Sequence, residues 1–114
     1  MSESDGKPDR VAFVTGGASG LGRGIAHRLA SEGFLVAIAD IDAEGSKVVV
    51  GEICDEGGTA IAVPCDVANQ AAVEAARDEI VSSHKGIDVL VNNAGFDTPG
   101  FFLETDPSSW QRLM

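Results

Sequence analysis

Four glycines lie between a short apolar run and a helical pattern, and their spacing suits the binding of a phosphate group. The order is T-G-x-x-x-G-x-G from Thr15 to Gly22, with a further glycine at position 17. A strand, a tight turn and a helix N-terminus present backbone N–H groups outward, and the helix dipole favours an anion in front of them. Glycine allows unusual backbone angles and close approach of a ligand. We therefore expect a phosphate or pyrophosphate to bind at this turn.

The order of the glycines excludes two other phosphate-binding loops. The fingerprint G-x-G-x-x-G does not occur, and no Gly-Lys-Ser/Thr follows the glycines, so this is not a Walker loop. A glycine-rich connector that binds nothing is the plain alternative, since glycine marks turns of every kind.

An acidic residue, Asp40, follows the second apolar run, residues 34–39. A dinucleotide-binding fold places a carboxylate roughly 20 residues after its glycines, where it accepts hydrogen bonds from the adenosine ribose hydroxyls. A carboxylate there repels a 2′-phosphate, so NAD is favoured over NADP. The alternative is an ordinary exposed acid at the end of a strand. Asp42, two residues on, is predicted to cap the next helix.

The elements that position these residues follow from the hydrophobic pattern. Short apolar runs predict strands at residues 11–14, 34–39, 59–64 and 88–91. Helical spacing predicts a first helix that buries Leu21, Ile25 and Leu29, a second over 43–56 and a third over 69–84. This alternation is typical of an α/β fold, a Rossmann-type doubly wound parallel sheet, and right-handed crossovers give the strand order 3-2-1-4.

The carboxyl ends of these strands all lie on one edge of the predicted sheet. That edge carries the glycine turn, Asp40, Asp66 and the sequence N-N-A-G at 92–95. Open α/β sheets bind ligands in the crevice outside the carboxyl ends, at the point where the strand order reverses. We therefore expect one binding site between the first and fourth strands.

Composition and charge limit the classes of partner. The chain has 114 residues with 8 basic and 18 acidic side chains, and its formal net charge of -10 disfavours nucleic acid and anionic membranes. Cys54 and Cys65 form no C-x-x-C pair, and we expect buried or half-buried thiols in a reducing compartment. Residues 1–9 are polar and are expected to form a disordered tail before a single domain at 10–114. No apolar run is long enough for a membrane span, so a cytoplasmic protein is expected.

Taken together, the motifs T-G-G-A-S-G-L-G (15–22), the acid at Asp40, C-D-V (65–67) and N-N-A-G (92–95) resemble the classical short-chain dehydrogenases/reductases. The resemblance extends over essentially the whole chain from Val11 onward. It implies an NAD-dependent oxidoreductase that moves a hydride between nicotinamide and a secondary alcohol or ketone. The cofactor-binding residues that it implies are Gly16, Ser19, Gly20, Leu21, Gly22, Asp40, Ile41, Asp66, Val67, Asn93, Ala94 and Gly95.

The resemblance also implies a role for each group. The glycine turn would hold the pyrophosphate and the adjoining ribose, Asp40 and Ile41 the adenosine ribose, and Asp66 and Val67 the adenine ring. Residues 93–95 would line the nicotinamide side, and Asn92 would help to pin the fourth strand. Members that prefer NADP often have a basic residue at the place of Ser19 or after the second strand. Neither occurs here, which again favours NAD.

The sequence departs from the family in its catalytic residues. The resemblance implies a catalytic Ser-Tyr-Lys arrangement in which tyrosine is the general acid/base. This chain contains no tyrosine. We therefore predict no catalytic residue and no metal ligand here. We expect this chain to be the N-terminal, cofactor-binding part of a longer enzyme that forms homo-oligomers. Residues 96–103 are expected in a substrate-side loop, followed by a helix capped by Thr105 or Asp106. The outer edge of the fourth strand is expected to be unpaired.

Two other functions remain open from the sequence. A non-catalytic module could bind or sense NAD without turning over a substrate. An S-adenosylmethionine-dependent methyltransferase also joins a glycine turn after strand one to an acid after strand two, although its loop usually runs as G-x-G and it leaves N-N-A-G unexplained. The substrate itself cannot be named from this sequence, because fold does not choose among alcohols, sugars, steroids and acyl thioesters.

Overall fold

Strands and helices alternate along the chain as the apolar runs predict. The computed structural model describes residues 10–84 and 86–93, together with the backbone of 103–104. In chain order the elements are β1 (Val11–Thr15), α1 (Gly20–Ser31), β2 (Leu35–Asp40), α2 (Ala43–Asp55), β3 (Thr59–Pro64), α3 (Gln70–Ser83), β4 (Val89–Asn92) and β5 (Leu103–Glu104).

The sheet has the order β3-β2-β1-β4-β5, which confirms the predicted 3-2-1-4 arrangement. β1 pairs with β2 and β4, and β2 pairs with β3, all in parallel. In this register Thr15 lies beside both Ala39 and Asn92, and Asp40 lies beside Pro64. The carboxyl ends of the four strands therefore form one edge.

The outer edge of β4 differs from the prediction. β5 pairs with it in antiparallel fashion, with Leu90 opposite Glu104 and Val91 opposite Leu103, so the expectation of an unpaired edge was wrong at these two positions. Leu103 was expected in the substrate-side loop, and a strand of two residues is too short to give an alternating pattern that would predict it.

Each face of the sheet packs against helices, as a doubly wound fold requires. On one face Phe13 and Leu90 pack with Val73 and Ile80 of α3. On the other face Ile38 packs with residues of α1 and α2, the buried members being Ala26, Ala30, Val49 and Ile53. Successive residues of β1 belong to opposite clusters, because side chains alternate across a strand.

The buried face of α1 is not the one expected. Leu21 is 59% exposed, whereas Gly22, Ala26 and Ala30 are buried. Ile25 and Leu29 pack only partly against the core. Small residues face the sheet because α1 begins directly over the end of β1, where a larger side chain would prevent close approach of the helix.

Some of the predictions fall outside the described residues. They concern the tail at 1–9, the site residues Ala94 and Gly95, and the helix capped by Thr105 or Asp106. Within the described part of the chain, no helix combines the length and the hydropathy needed to cross a membrane.

Candidate functional site

The glycine turn connects β1 to α1 at the carboxyl edge of the sheet. Gly16 and Gly20 have positive φ angles of 67° and 59°, which side chains rarely adopt. The Gly16 amide donates to the Ala39 carbonyl at 2.8 Å, so the turn starts against the end of β2. Ser19 is the N-cap residue of α1, and its side chain makes no capping hydrogen bond. The turn thus leads to a helix N-terminus suited to an anion.

Gly22 lies in the first turn of α1, where the helix contacts the glycine turn most closely. A β-carbon at this position would overlap the Gly16 carbonyl oxygen and would come within 2.7 Å of the Asn93 Nδ2. The side-chain Nδ2 of Asn93 donates to the same carbonyl oxygen at 3.4 Å. Gly22 is therefore required for the packing of the helix on the turn, and Asn93 supports the turn from β4.

The Asp40 side chain joins the glycine turn to the loop that follows β2. Its Oδ2 accepts a hydrogen bond from the Ala18 amide at 3.1 Å, and its Oδ1 accepts one from the Asp42 amide at 2.9 Å. Asp42 in turn caps α2, as predicted, by accepting from the Gly45 amide at 2.9 Å. The Asp40 carboxylate is half-buried beside the glycine turn.

Thr15 connects the ends of β1 and β4. Its hydroxyl oxygen accepts a hydrogen bond from the backbone amide of Asn93 at 3.0 Å. The hydroxyl hydrogen can be donated to the Val91 carbonyl at 3.4 Å or to the Asn92 Oδ1 at 3.2 Å. Thr15 is only 3% exposed, and the bond from the Asn93 backbone amide fixes the position of Asn93 relative to β1.

The end of β3 brings Asp66 to the same edge. The Cys65 amide donates to the Asp40 carbonyl at 3.1 Å, and the Asp66 Oδ1 accepts from the Ala68 amide at 3.0 Å. Burial, and then the negative charges of Asp40 and Asp66, raise the pKa of the Cys65 thiol. The thiol therefore stays protonated at neutral pH and is a poor nucleophile.

The cysteines differ in exposure. Cys65 is half-buried as expected, whereas Cys54 is exposed, which corrects that part of the prediction. Cys54 lies near the end of α2, one residue beyond the buried Ile53, on the side of the helix that faces away from the sheet.

Two large apolar side chains border the site without being packed. Ile41, directly after β2, is 67% exposed, and Leu21 in the first turn of α1 is the other. Val67, the predicted neighbour of the adenine ring, is partly buried against the core cluster that includes Phe13 and Leu90. Exposed apolar groups beside a polar turn are suited to contact with the flat and apolar parts of a nucleotide.

The described site residues lie together at the carboxyl edge of the sheet, on the glycine turn, the end of β2, the end of β3 and the end of β4. Two groups that the sequence did not single out also belong to this edge, the hydroxyl of Thr15 and the backbone amide of Ala18. Every residue other than proline has a backbone N–H, so no sequence signal could have identified Ala18. Thr15 was predicted only to close the strand.

Sequence comparisons relate this chain to a known family. Residues 10–114 match the family model described as short chain dehydrogenase. Uncharacterized oxidoreductase YuxG of Bacillus subtilis (strain 168) is 41% identical over 92% of this chain and 16% of its own length. 2,5-dichloro-2,5-cyclohexadiene-1,4-diol dehydrogenase LinX of Sphingobium indicum is 40% identical over 92% of this chain and 42% of its own length.

Solved structures show the same fold. A metagenomic short-chain oxidoreductase in complex with NADP has a TM-score of 0.74 and 37% identity, over 80% of this chain and 41% of that one. A dehydrogenase/reductase from Sinorhizobium meliloti 1021 has a TM-score of 0.73 and 44% identity, over 78% and 36%. This chain thus spans less than half the length of these relatives. The family model covers nearly all of it, and the chain belongs to the short-chain dehydrogenase family.

Proposed function

We propose that this chain supplies the cofactor-binding part of an NAD-dependent short-chain dehydrogenase. The substrate side of the reaction is the interconversion of a secondary alcohol and a ketone. The position of the Asp40 carboxylate is the observation that carries the proposal, because it stands at the end of β2 beside a glycine turn with two positive φ angles.

The residues fit a dinucleotide. Gly20 has open space where a β-carbon would stand, and Ser19 leaves the first turn of α1 without a side-chain cap. Backbone amides at this helix N-terminus would bind the pyrophosphate. Asp66 and Val67 would contact the adenine ring, and Asn93, with Ala94 and Gly95 beyond it, would line the nicotinamide side.

The choice of NAD over NADP rests on charge. The Asp40 carboxylate would repel a 2′-phosphate, and the residues around it in sequence, 16–22 and 41–42, include no lysine or arginine to offset that repulsion. Arg23 lies one residue beyond the turn, but its guanidinium pairs with Glu52 of α2. One of the related structures contains NADP, so the preference must be measured for this chain.

Membership of the family supports the proposed chemistry and substrate class. The bound nicotinamide would take or give a hydride, while this chain orients the dinucleotide and supplies no tyrosine for proton transfer. A relative named as a cyclohexadiene-diol dehydrogenase supports an alcohol substrate. We further propose a cytoplasmic homo-oligomer that acts on small molecules and binds neither nucleic acid nor membrane, in accord with a net charge of -10.

The test is the affinity of the protein for NADH and NADPH, measured by calorimetry with the wild type, Asp40→Ala and Asp55→Ala. Asp55 is an exposed acid at the end of α2, so its variant matches the change in net charge at a distance from the site. We expect the wild type and Asp55→Ala to prefer NADH by about tenfold or more, and Asp40→Ala to lose this preference.

Each other outcome is informative. A folded wild type that binds neither dinucleotide contradicts the cofactor site. A wild type that prefers NADPH contradicts the assignment of NAD while leaving the site in place. An equal loss of preference in Asp55→Ala would show that net charge, rather than the position of Asp40, sets the choice.

A further inference from the structure

We propose that Asp40 is also a positioning residue, which holds the middle of the glycine turn in the shape that receives the pyrophosphate. This inference rests on the proposed dinucleotide site and adds a second task to a carboxylate otherwise assigned to ribose. The two tasks are separable by experiment because they concern different parts of the ligand.

The contact that carries the inference is the hydrogen bond from the Ala18 amide to the Asp40 Oδ2 at 3.1 Å. Ala18 lies midway between Gly16 and Gly20, and the residue is only 9% exposed. Glycine has no β-carbon, so the backbone at Gly16 and Gly20 has many accessible conformations, and both residues adopt positive φ angles here. A charged acceptor on the amide of Ala18 selects one of them.

The carboxylate is itself fixed in place. Its second oxygen accepts from the Asp42 amide at 2.9 Å, and Asp42 is held at the start of α2 by its capping bond to Gly45. The glycine turn is therefore held at its start and at its middle. The bond from Gly16 to Ala39 fixes its start, and Asp40 fixes its middle.

Holding the turn does not prevent Asp40 from binding ribose. A carboxylate offers about four lone-pair sites, and the backbone amides of Ala18 and Asp42 use one on each oxygen. Among the described residues no other donor bonds to the Asp40 carboxylate, so one site on each oxygen is left there, which matches the two neighbouring hydroxyl donors of a ribose. The same carboxylate can thus contact the adenosine ribose and the turn that binds the pyrophosphate at the same time.

The experiment separates the tasks with a ligand that lacks the ribose contact. NADH and its 2′,3′-dideoxyadenosine analogue are titrated into the full chain as wild type, Asp40→Ala, Asp40→Asn and the charge control Asp55→Ala. If Asp40 only contacts ribose, Asp40→Ala leaves the affinity for the analogue unchanged. Loss of a negative charge near an anionic ligand would even raise that affinity. If Asp40 holds the turn, the affinity for the analogue falls about tenfold or more.

Amide hydrogen exchange gives a second measurement that needs no ligand. We expect the Ala18 amide to be protected in the wild type and to exchange at least about tenfold faster in Asp40→Ala, while the amide of Phe13 in the core of β1 keeps its protection. Asp40→Asn retains one acceptor oxygen and should show an intermediate exchange rate and an intermediate affinity for the analogue.

Unchanged binding of the analogue by a folded Asp40→Ala overturns the proposal, and so does an unprotected Ala18 amide in the wild type. If Asp40→Ala does not fold, Asp40→Asn and the wild-type exchange rate decide. If the wild type binds no NADH, the proposed function fails, and the exchange of the Ala18 amide still decides whether Asp40 holds the turn.

Discussion

The carbonyl oxygen of Gly16 occupies the space that a β-carbon on Gly22 would need. The two glycines lie at opposite ends of the turn, and this contact sets how closely α1 approaches the end of β1. The Gly16 carbonyl cannot move aside without disturbing its hydrogen bond from the side-chain Nδ2 of Asn93. Glycine at position 22 is therefore a packing requirement.

The first prediction is that Gly22→Ala lowers the free energy of unfolding by about 1–3 kcal/mol, a usual cost of overpacking, and weakens NADH binding. The added methyl group must displace either the turn or the start of α1. Urea unfolding and calorimetry measure the two effects.

Gly24→Ala is the matched control. Gly24 lies in the same helix and has open space around a β-carbon, so alanine should raise the free energy of unfolding by up to about 1 kcal/mol through its better helix propensity. Equal behaviour of the two variants would contradict the packing role of Gly22.

The second prediction concerns the hydroxyl of Thr15. Thr15→Val keeps the shape of the side chain but removes the hydroxyl oxygen that accepts from the backbone amide of Asn93. We expect a loss of about 1–3 kcal/mol in the free energy of unfolding, with weaker NADH binding because the end of β4 is no longer fixed to β1. Urea unfolding and an NADH titration check both.

Thr59→Val serves as the comparison for Thr15→Val. Thr59 is the first residue of β3 and is only half-buried, so its variant should change the free energy of unfolding by less than about 0.5 kcal/mol. A loss at Thr59 as large as that at Thr15 would contradict the specific role of the Thr15 hydroxyl.

The strands and their order could be predicted because the buried runs are unbroken and the crossovers of parallel strands have one hand. The runs ending at Thr15 and Asp40 mark the carboxyl edge directly, and the structure has these residues at strand ends. The N-cap of α2 was also predictable, since Asp42 carries a capping side chain at the right place.

Two features of the structure could not be predicted, because they depend on a backbone group or on how closely a helix packs on the sheet. The bond from Ala18 to Asp40 uses an amide that any residue would provide. The buried face of α1 was predicted from its largest apolar residues, yet close packing selected the smallest ones, and Leu21 became exposed. Hydrophobic periodicity gives the direction of a face but does not state how near the helix lies to the sheet.

The third prediction tests the N-cap of α2. Asp42→Ala removes the acceptor for the Gly45 amide and should cost about 0.5–2 kcal/mol of stability. Asp42→Ser retains a capping oxygen and should recover most of this loss. The backbone amide at position 42 still donates to Asp40 in both variants. The free energy of NADH binding should therefore change less than the free energy of unfolding. A stability of Asp42→Ser no better than that of Asp42→Ala would contradict the capping role.

The fourth prediction is a pH dependence that originates between α1 and α2. The His27 Nε2 lies 2.9 Å from the Glu52 Oε1, and its Nδ1 lies 3.1 Å from the Glu56 Oε1. Both ring nitrogens face carboxylate oxygens, and only the protonated imidazole can donate to both. The hydrogen bond with Glu52 is the largest cause that raises the pKa of His27 above 6.5, with burial opposing it and Glu56 adding to it.

The sign of the effect follows from the raised pKa. Stabilisation by His27 is complete below the pKa of the unfolded chain, near about 6.5, and is lost as the pH rises through the higher pKa of the folded state. We therefore expect the free energy of unfolding to fall over this window in the wild type and to be flatter in His27→Gln. Urea unfolding at several pH values measures the slope, and an NMR titration of His27 gives its pKa in the wild type and in Glu52→Gln. A His27 pKa at or below 6.5, or equal slopes in the wild type and His27→Gln, would contradict the bridge between the helices.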